Sequence, residues 1–314
     1  MPTRHFLSLM DLSTHEFRAL INRAIELKAE TRAGKISTLM QGKTAVLVFE
    51  KSSTRTRVSF ETGVGQFGGK SIFLAPSESH LGRGESIEDT ARVLSRMANL
   101  IIMRTGAHER IEAMAENASI PVINGLSDFN HPCQLLADIQ AYTEHRGDIR
   151  GKTVAWIGDG NNVCHSWMNA ARQLDFKLSI ATPEDHQPDS VLIEQCADYI
   201  SLTTDPREAA ADSVLVVTDT WSGMGYEKEK KHREAIFGRY CVDDKLMQLA
   251  ASDALFMHCL PAYRGSEVTA EVIDGPQSIV WDEAENRLHA QKALMEFLLL
   301  EHAGNEISGT RRRN

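Results

Sequence analysis

Short valine- and isoleucine-rich runs alternate with helix-period segments along the whole chain, and no other feature restricts the fold as much. The first such run, TAVLVF at 44–49, is almost continuously apolar, as a strand buried on both faces must be. Further strands are predicted at 71–74, 100–103 and 121–124. Helices are predicted at 57–67, 87–97, 109–117 and 132–145. The pattern restarts after Arg146-Gly147-Asp148, with strands at 153–157, 177–181, 214–218 and 255–258 and helices at 163–174, 190–196, 227–237 and 244–251. A first helix opens on the capping box Ser13-x-x-Glu16 and carries Phe17, Leu20, Ile21, Ala24 and Ile25 on one face. A last helix is expected at 284–302. Strands alternating with helices imply parallel sheets, because a parallel crossover needs a covering helix. At 314 residues the chain exceeds the usual size of one domain. The expected fold is therefore α/β in two domains, each a mostly parallel sheet covered by helices on both faces, joined by interdomain helices. The boundaries fall at 1–147, with 284–314 packing back on that part, and 148–283.

Charge and composition exclude several functions. The formal net charge of −9 is the wrong sign for a nucleic-acid binder, though a local arginine cluster can still reverse the field for a small anion. Five cysteines, an odd number without a CxxC pair, argue against a disulfide framework or a structural zinc site and for a reducing compartment. The apolar runs are strand-length and the N-terminus lacks a signal-peptide layout, so a cytoplasmic protein without membrane contact is expected. Arg311, Arg312 and Arg313 read as a frayed tail.

The most informative segment is Lys51-Ser52-Ser53-Thr54-Arg55-Thr56-Arg57, between a predicted strand and a predicted helix. A helix start leaves backbone N–H groups unpaired, and the helix dipole adds positive potential there. A cap needs one hydroxyl, whereas residues 53–57 supply three hydroxyls and two guanidinium groups, all of them donors. The reading is an anion site, and the spacing is not that of a nucleoside-triphosphate loop.

Other candidates stand where strands end, the ligand edge of an open parallel sheet. Arg104 follows 100–103 and Asp219 follows 214–218. Gly158-Asp159-Gly160-Asn161-Asn162 follows 153–157 and partly mimics a dinucleotide loop, but Val163 stands where the third glycine belongs. Cys259 follows 255–258, and the polar, glycine-rich stretch 79–85 reads as a mobile loop.

Three motifs in order, Ser53-Thr54-Arg55-Thr56-Arg57, His131-Pro132-Cys133-Gln134 and His258-Cys259-Leu260-Pro261, resemble the signatures of the aspartate and ornithine carbamoyltransferase family, the last marking its ornithine branch. The resemblance extends over essentially the whole chain. It implies a carbamoyl phosphate-binding first domain and an ornithine-binding second domain, with citrulline and phosphate as products and neither cofactor nor metal. It implies that carbamoyl phosphate is bound by Ser53, Thr54, Arg55, Thr56, Arg104, His131, Gln134, Cys259, Leu260 and Arg287. His131 then donates to the carbonyl oxygen and Gln134 bonds the amide nitrogen. Ornithine falls to Asn162, Asp219, Gly223 and Met224, and the catalytic groups to Cys259, Arg104, His131 and Thr56. His80, in the mobile loop, is expected to reach a neighbouring subunit of a homotrimer or a multiple of trimers. A cis Leu260–Pro261 bond is also implied. The chain departs from the family at Asp219-Thr-Trp-Ser222-Gly223-Met224-Gly225, where glycine replaces a serine and Ser222 sits one position early.

The resemblance implies attack by a neutral amine, with deprotonation favoured by desolvation or a base such as the Cys259 thiolate, followed by stabilisation of a tetrahedral oxyanion and, with it, domain closure. Carbamoyl transfer to putrescine or an N-acylated ornithine stays open because of Gly223. A nicotinamide-dependent oxidoreductase stays open because of Gly158-x-Gly160, and so does a silent anion-binding protein.

Overall fold

In the computed structural model, which describes residues 3–75, 77, 81, 84–221 and 229–310 (backbone alone for 230 and 303–310), the apolar runs form two separate parallel sheets. The chain divides into two units, Met1–Gln140 with Asn286–Asn314, and Ala141–Glu285. In chain order the first part holds α1 (Thr14–Arg32), β1 (Thr44–Phe49), α2 (Thr54–Gln66), β2 (Lys70–Leu74), α3 (Ile87–Ser95), β3 (Leu100–Arg104), α4 (Glu109–Asn117), β4 (Val122–Leu126) and α5 (Pro132–Arg146). There follow β5 (Thr153–Ile157), α6 (Asn162–Leu174), β6 (Lys177–Ala181), α7 (Ser190–Gln195), β7 (Ile200–Thr203), α8 (Pro206–Ala210), β8 (Leu215–Thr218), α9 (Lys230–Phe237), α10 (Asp244–Met247), β9 (Leu255–His258), α11 (Ala270–Ile273) and α12 (Val280–Thr310).

In the first unit the strand order is β2-β1-β3-β4, every pair parallel. Val46, Val48, Ile101, Met103 and Val122 point to one face and pack with Ile87 and Ala91 of α3 and with Ile111 and Met114 of α4. Successive strand residues point to opposite faces, and Ala45, Leu47 and Ile102 on the other face are equally buried. Each fully buried aliphatic chain contributes about 1.5–3 kcal/mol. The capping box at Ser13, where Glu16 N–H donates to Ser13 Oγ, is worth about 1 kcal/mol. The buried strands therefore set the architecture and the caps trim it. The end of the last helix belongs to this unit: Lys28 Nζ donates to Asn286 Oδ1 (2.7 Å), and Lys292 Nζ to Thr31 Oγ1 and Gln66 Oε1.

The second unit has the order β7-β6-β5-β8-β9, again all parallel. Ala155, Ile157, Val216 and Phe256 share a core with Trp221, Phe237 and Tyr240. Among the described residues no helix is long and apolar enough to cross a membrane.

The differences from the sequence reading have local causes. Helix α2 starts at Thr54, not 57, because Ser53 caps it. Helix α10 ends at Met247, its pattern beyond that tightening into Leu249 N–H to Leu246 O and Ala250 N–H to Met247 O bonds. Helix α9 is described from Lys230, so the start expected at 227 lies outside the described residues. The last helix begins at Val280 rather than 284. The four-residue β7 and the five-residue α8 escaped a periodicity test because neither is long enough to show a period. Phe6 also pairs with Ile123, adding backbone bonds beside β4. The Leu260–Pro261 bond is cis, as expected.

Gly160 marks a close approach. A Cβ there would lie 2.3 Å from Pro188 N and 2.6 Å from His186 O, both backbone atoms that cannot move aside cheaply. Gly160→Ala is expected to destabilise the protein by about 3 kcal/mol or more. A urea unfolding midpoint unchanged from the parent would contradict this packing.

Candidate active site

Sheet order locates the first site. Strand β1 leads on to β2 while β3 leads on to β4, so the loops after β1 and β3 diverge at a switch point, where such sheets bind ligands. Ser53 follows β1 in extended conformation, and its Oγ accepts from Thr56 N–H (3.3 Å) while donating to Thr56 Oγ1 (3.1 Å). No acidic residue occupies the first turn of α2, so nothing on the helix offsets its positive end. Thr54 is exposed, Arg55 half-buried and Thr56 buried. Arg57, the motif's second arginine, lies over the Phe73 ring at 3.7 Å and bonds Glu61 (3.1 Å).

Arg104 ends β3 and is buried. The β3–β4 register shifts between Met103 and Arg104, and Gly125 sits tightly there: a Cβ would meet Met103 O at 3.2 Å. Such irregularities re-aim a side chain at a strand end. Arg287 of α12 is also buried and donates from Nη1 to Gln134 Oε1 (2.6 Å) and from Nη2 to Thr56 Oγ1 (3.2 Å). Gln134 Nε2 donates in turn to Asp138 Oδ1 (2.8 Å). His131 precedes α5. Burial first, and then the charges of Arg287, Arg104 and Arg55, hold its imidazole well below its ordinary pKa. One neutral imidazole thus stands in the field of three guanidinium groups.

The sequence reading missed Glu50. Its N–H donates to Arg104 O (2.8 Å), and its carboxylate accepts from Thr105 Oγ1 and from two nitrogens of Arg110, tying the ends of β1 and β3 together. The strand-end rule that singled out Arg104 applies equally to Glu50, the residue after β1.

The second unit repeats the topology, with β5 and β8 flanking its switch point. Asn161 caps α6, its Oδ1 accepting from Val163 and Cys164 N–H, while its Nδ2 donates to Asp219 Oδ2 (2.8 Å). Asn162 is the first residue of α6 and half-buried. Of the two asparagines, the bond to Asp219 is therefore made by Asn161, which the sequence reading passed over, although an asparagine before a helical run is a capping signal. Asp219 Oδ1 accepts from Thr220 N–H (2.7 Å) and from Cys259 Sγ (3.1 Å). Cys259 thus acts as a thiol donor to a carboxylate.

Cys259 and Leu260 lie on a braced loop. Leu260 takes the left-handed conformation (φ 57°), and its N–H donates to His258 Nδ1 (2.8 Å). With Nδ1 accepting, Nε2 carries the proton and meets Glu267 Oε1 (3.3 Å), which also accepts from Tyr263 N–H (2.6 Å). Asp219, His258 and Cys259 could bring three metal-ligand atoms within 4.8 Å of one another. Both nitrogens of His258 are engaged, so its ligation would cost the loop its brace. Arg233 of α9, buried, donates to Trp221 O and Asp159 and anchors the two loops beside Asp219. The backbone of 186–188 occupies the approach that Gly160 opens, which counts against a dinucleotide there. His80, Ser222, Gly223 and Met224 lie outside the described residues.

The first unit offers an anion site of guanidinium and hydroxyl donors, and the second, by itself, a carboxylate, thiol and carboxamide suited to a polar, cationic ligand. Residues 4–144 match the aspartate/ornithine carbamoyltransferase carbamoyl-P binding domain, and residues 150–298 match the Asp/Orn binding domain of the same family. The chain belongs to the aspartate/ornithine carbamoyltransferase family and is a carbamoyltransferase. It is 57% identical over 300 residues to an ornithine carbamoyltransferase of Nitrosococcus oceani (96% of this chain, 99% of the relative). It is 59% identical over 299 residues to one of Methylococcus capsulatus (95% and 99%). The solved ornithine carbamoyltransferase of Burkholderia thailandensis superposes with a TM-score of 0.88 at 50% identity (95% and 99% covered). That of Pyrococcus furiosus superposes with 0.90 at 45% (94% and 96%).

His131 generates a pH prediction. Its folded pKa lies below the unfolded value near 6.5, so its neutral burial supports the fold fully above about pH 6.5. That support is lost as pH falls, because the unfolded chain takes up the proton first. Between pH 7.5 and 5.5, His131→Gln should lose about 1 kcal/mol less stability than the parent in paired urea titrations. Equal losses would show that His131 titrates normally in the fold.

Proposed function

We propose that the chain transfers the carbamoyl group of carbamoyl phosphate to the δ-amine of L-ornithine, giving L-citrulline and phosphate. The observation that carries this reading is the convergence of Arg55, Arg104 and Arg287 on neutral His131, beside Thr56 and Gln134 at the switch point of the first sheet. Relatives named ornithine carbamoyltransferase, more than half identical over nearly the whole chain, support the choice of substrates.

In this reading residues 1–147 with 284–314 form the carbamoyl phosphate domain and residues 148–283 the ornithine domain. Ser53, Thr54, Arg55, Thr56 and the positive N-terminal end of α2 take the phosphate, with Arg104 and Arg287. His131, neutral and therefore able to keep an acceptor nitrogen and a donor nitrogen, donates to the carbonyl oxygen, and Gln134 accepts from the amide nitrogen. Cys259 and Leu260 complete the set for carbamoyl phosphate. Asn162, Asp219, Gly223 and Met224 bind ornithine. The δ-amine resembles a lysine amine in basicity and must lose its proton before attack. Because the Cys259 thiol already donates to Asp219, the group able to take that proton is the Asp219 carboxylate, reached directly or through the thiol. Attack produces an oxyanion met by Thr56, Arg104 and His131, a donor set in which one good member is worth about 3–4 kcal/mol. Phosphate then leaves.

The carboxylate at Asp219 favours an acceptor with a free ammonium group, which supports ornithine over an N-acylated ornithine. Putrescine competes on the strength of Gly223. We also propose a homotrimer, or a multiple of trimers, into which His80 reaches from a neighbouring subunit; the exposed Val58 on α2 and Ile72 on the edge strand β2 support such an interface. Free thiols at all five cysteines support a cytoplasmic site of action.

Arg55→Gly is expected to lower citrulline formation by about 10³-fold or more and to raise the KM for carbamoyl phosphate while leaving the melting temperature unchanged. Normal turnover would overturn the assignment. Cys259→Ala is expected to leave carbamoyl phosphate affinity intact and to lower kcat/KM for ornithine on the order of 10–100-fold. Unchanged kinetics with ornithine, putrescine and N-acetylornithine would remove Cys259 from the mechanism.

A further inference from the structure

Asn161 performs two tasks at the start of α6. Its Oδ1 accepts from Val163 N–H (3.0 Å) and Cys164 N–H (3.1 Å), and its Nδ2 donates to Asp219 Oδ2 (2.8 Å). The first task needs only an acceptor, and serine, aspartate and asparagine perform it about equally well. Aspartate would gain further from the positive end of the helix. In the same unit α7, α8 and α10 are capped by aspartates: Asp189, Asp205 and Asp243. Asparagine stands at the cap that faces Asp219, where another aspartate would set two carboxylates against each other.

The two backbone N–H groups hold the Asn161 amide in one orientation, because turning it over would point its NH2 at two donors. Helix α6 itself thereby aims Nδ2 at Asp219. The other bonds to this carboxylate are of a different kind. Thr220 N–H (2.7 Å) belongs to the next residue and moves with the Asp219 backbone, and the Cys259 thiol (3.1 Å) is a weak donor. Both meet Oδ1, whereas Asn161 meets Oδ2 and ties it to the loop that follows β5. We infer that Asn161 is a positioning residue for the acceptor substrate, holding the Asp219 carboxylate through Oδ2 in the orientation that receives the ornithine amine. This rests on the reading of Asp219 as an ornithine-binding group. It extends that reading to a residue that a capping role alone would leave interchangeable with serine or aspartate.

Three substitutions in the full-length protein separate the cap from the contact. Asn161→Ser keeps a capping oxygen and removes the donor to Asp219. Asn161→Asp keeps the cap and puts an acceptor where the donor was, and Asn161→Ala removes both cap and donor. Steady-state kinetics with each substrate varied in turn are paired with melting temperatures. Asn161→Ser should keep the melting temperature and the KM for carbamoyl phosphate, while kcat/KM for ornithine falls about tenfold or more, the value of one hydrogen bond to a charged group. Asn161→Asp should lower kcat/KM for ornithine further than Asn161→Ser does. Asn161→Ala should resemble Asn161→Ser in its kinetics but melt at a lower temperature. Parental ornithine kinetics in both Asn161→Ser and Asn161→Asp would show that the residue only caps α6, and the inference fails. Equal losses for the two substrates would overturn it in favour of a general loosening, and so would failure of both capped variants to fold. No citrulline from the parent protein would instead remove the ornithine reading itself.

Discussion

The buried guanidinium of Arg287, bonded to Gln134 and Thr56, is the contact on which the first unit's chemistry depends. It joins the far end of the sequence to the β1–α2 loop and to α5, so that segments more than 150 residues apart share one small polar cluster. Burying a cation is costly unless it is hydrogen-bonded. Here the bonds run on through Gln134 to Asp138, so a carboxylate stands at the far end of the chain of donors. The consequence falls on His131. Three guanidinium groups and the loss of solvent keep it neutral, and a neutral imidazole can hydrogen-bond to a carbonyl oxygen without adding a further charge.

The second unit is organised around a carboxylate in the same way that the first is organised around cations. Asp219 gathers Asn161, Thr220 N–H and the Cys259 thiol at the end of β8. The pieces around it are fixed by groups one step removed. His258 and Glu267 hold the Leu260 and Tyr263 N–H groups, and Arg233 holds Trp221 and Asp159. Both units therefore place reactive groups on loops at the C-terminal edge of a sheet and spend further buried polar residues on keeping those loops still. A parallel sheet suits this division, because its strand ends can vary in sequence without disturbing the core.

Much of this was legible before any coordinates. The strands at 153–157, 177–181 and 255–258 and the helix at 109–117 match their observed bounds, because strand positions that face a core must be apolar and an amphipathic helix must repeat near 3.6 residues. The cluster 53–57 was visible because so many donors in so few residues have little structural use. Less legible was how its members divide: Arg57 turns away to Phe73 and Glu61, while Arg55 faces the site with Arg104 and Arg287. Asp138 and Arg233 carried no distinct signal, since one buried polar residue in a helix looks like any other until its partner is known.

The sequence by itself determined the α/β class, the order of the elements and the segments able to bind an anion, because these follow from local periodicity and from which groups a short stretch of chain contains. Only the tertiary structure decided which donors converge, which asparagine meets Asp219 and that the Cys259 sulfur is a thiol donor. Those outcomes depend on contacts between residues far apart in the chain, such as Arg287 with Thr56 and Cys259 with Asp219, and on the desolvation that comes only when such residues are packed together.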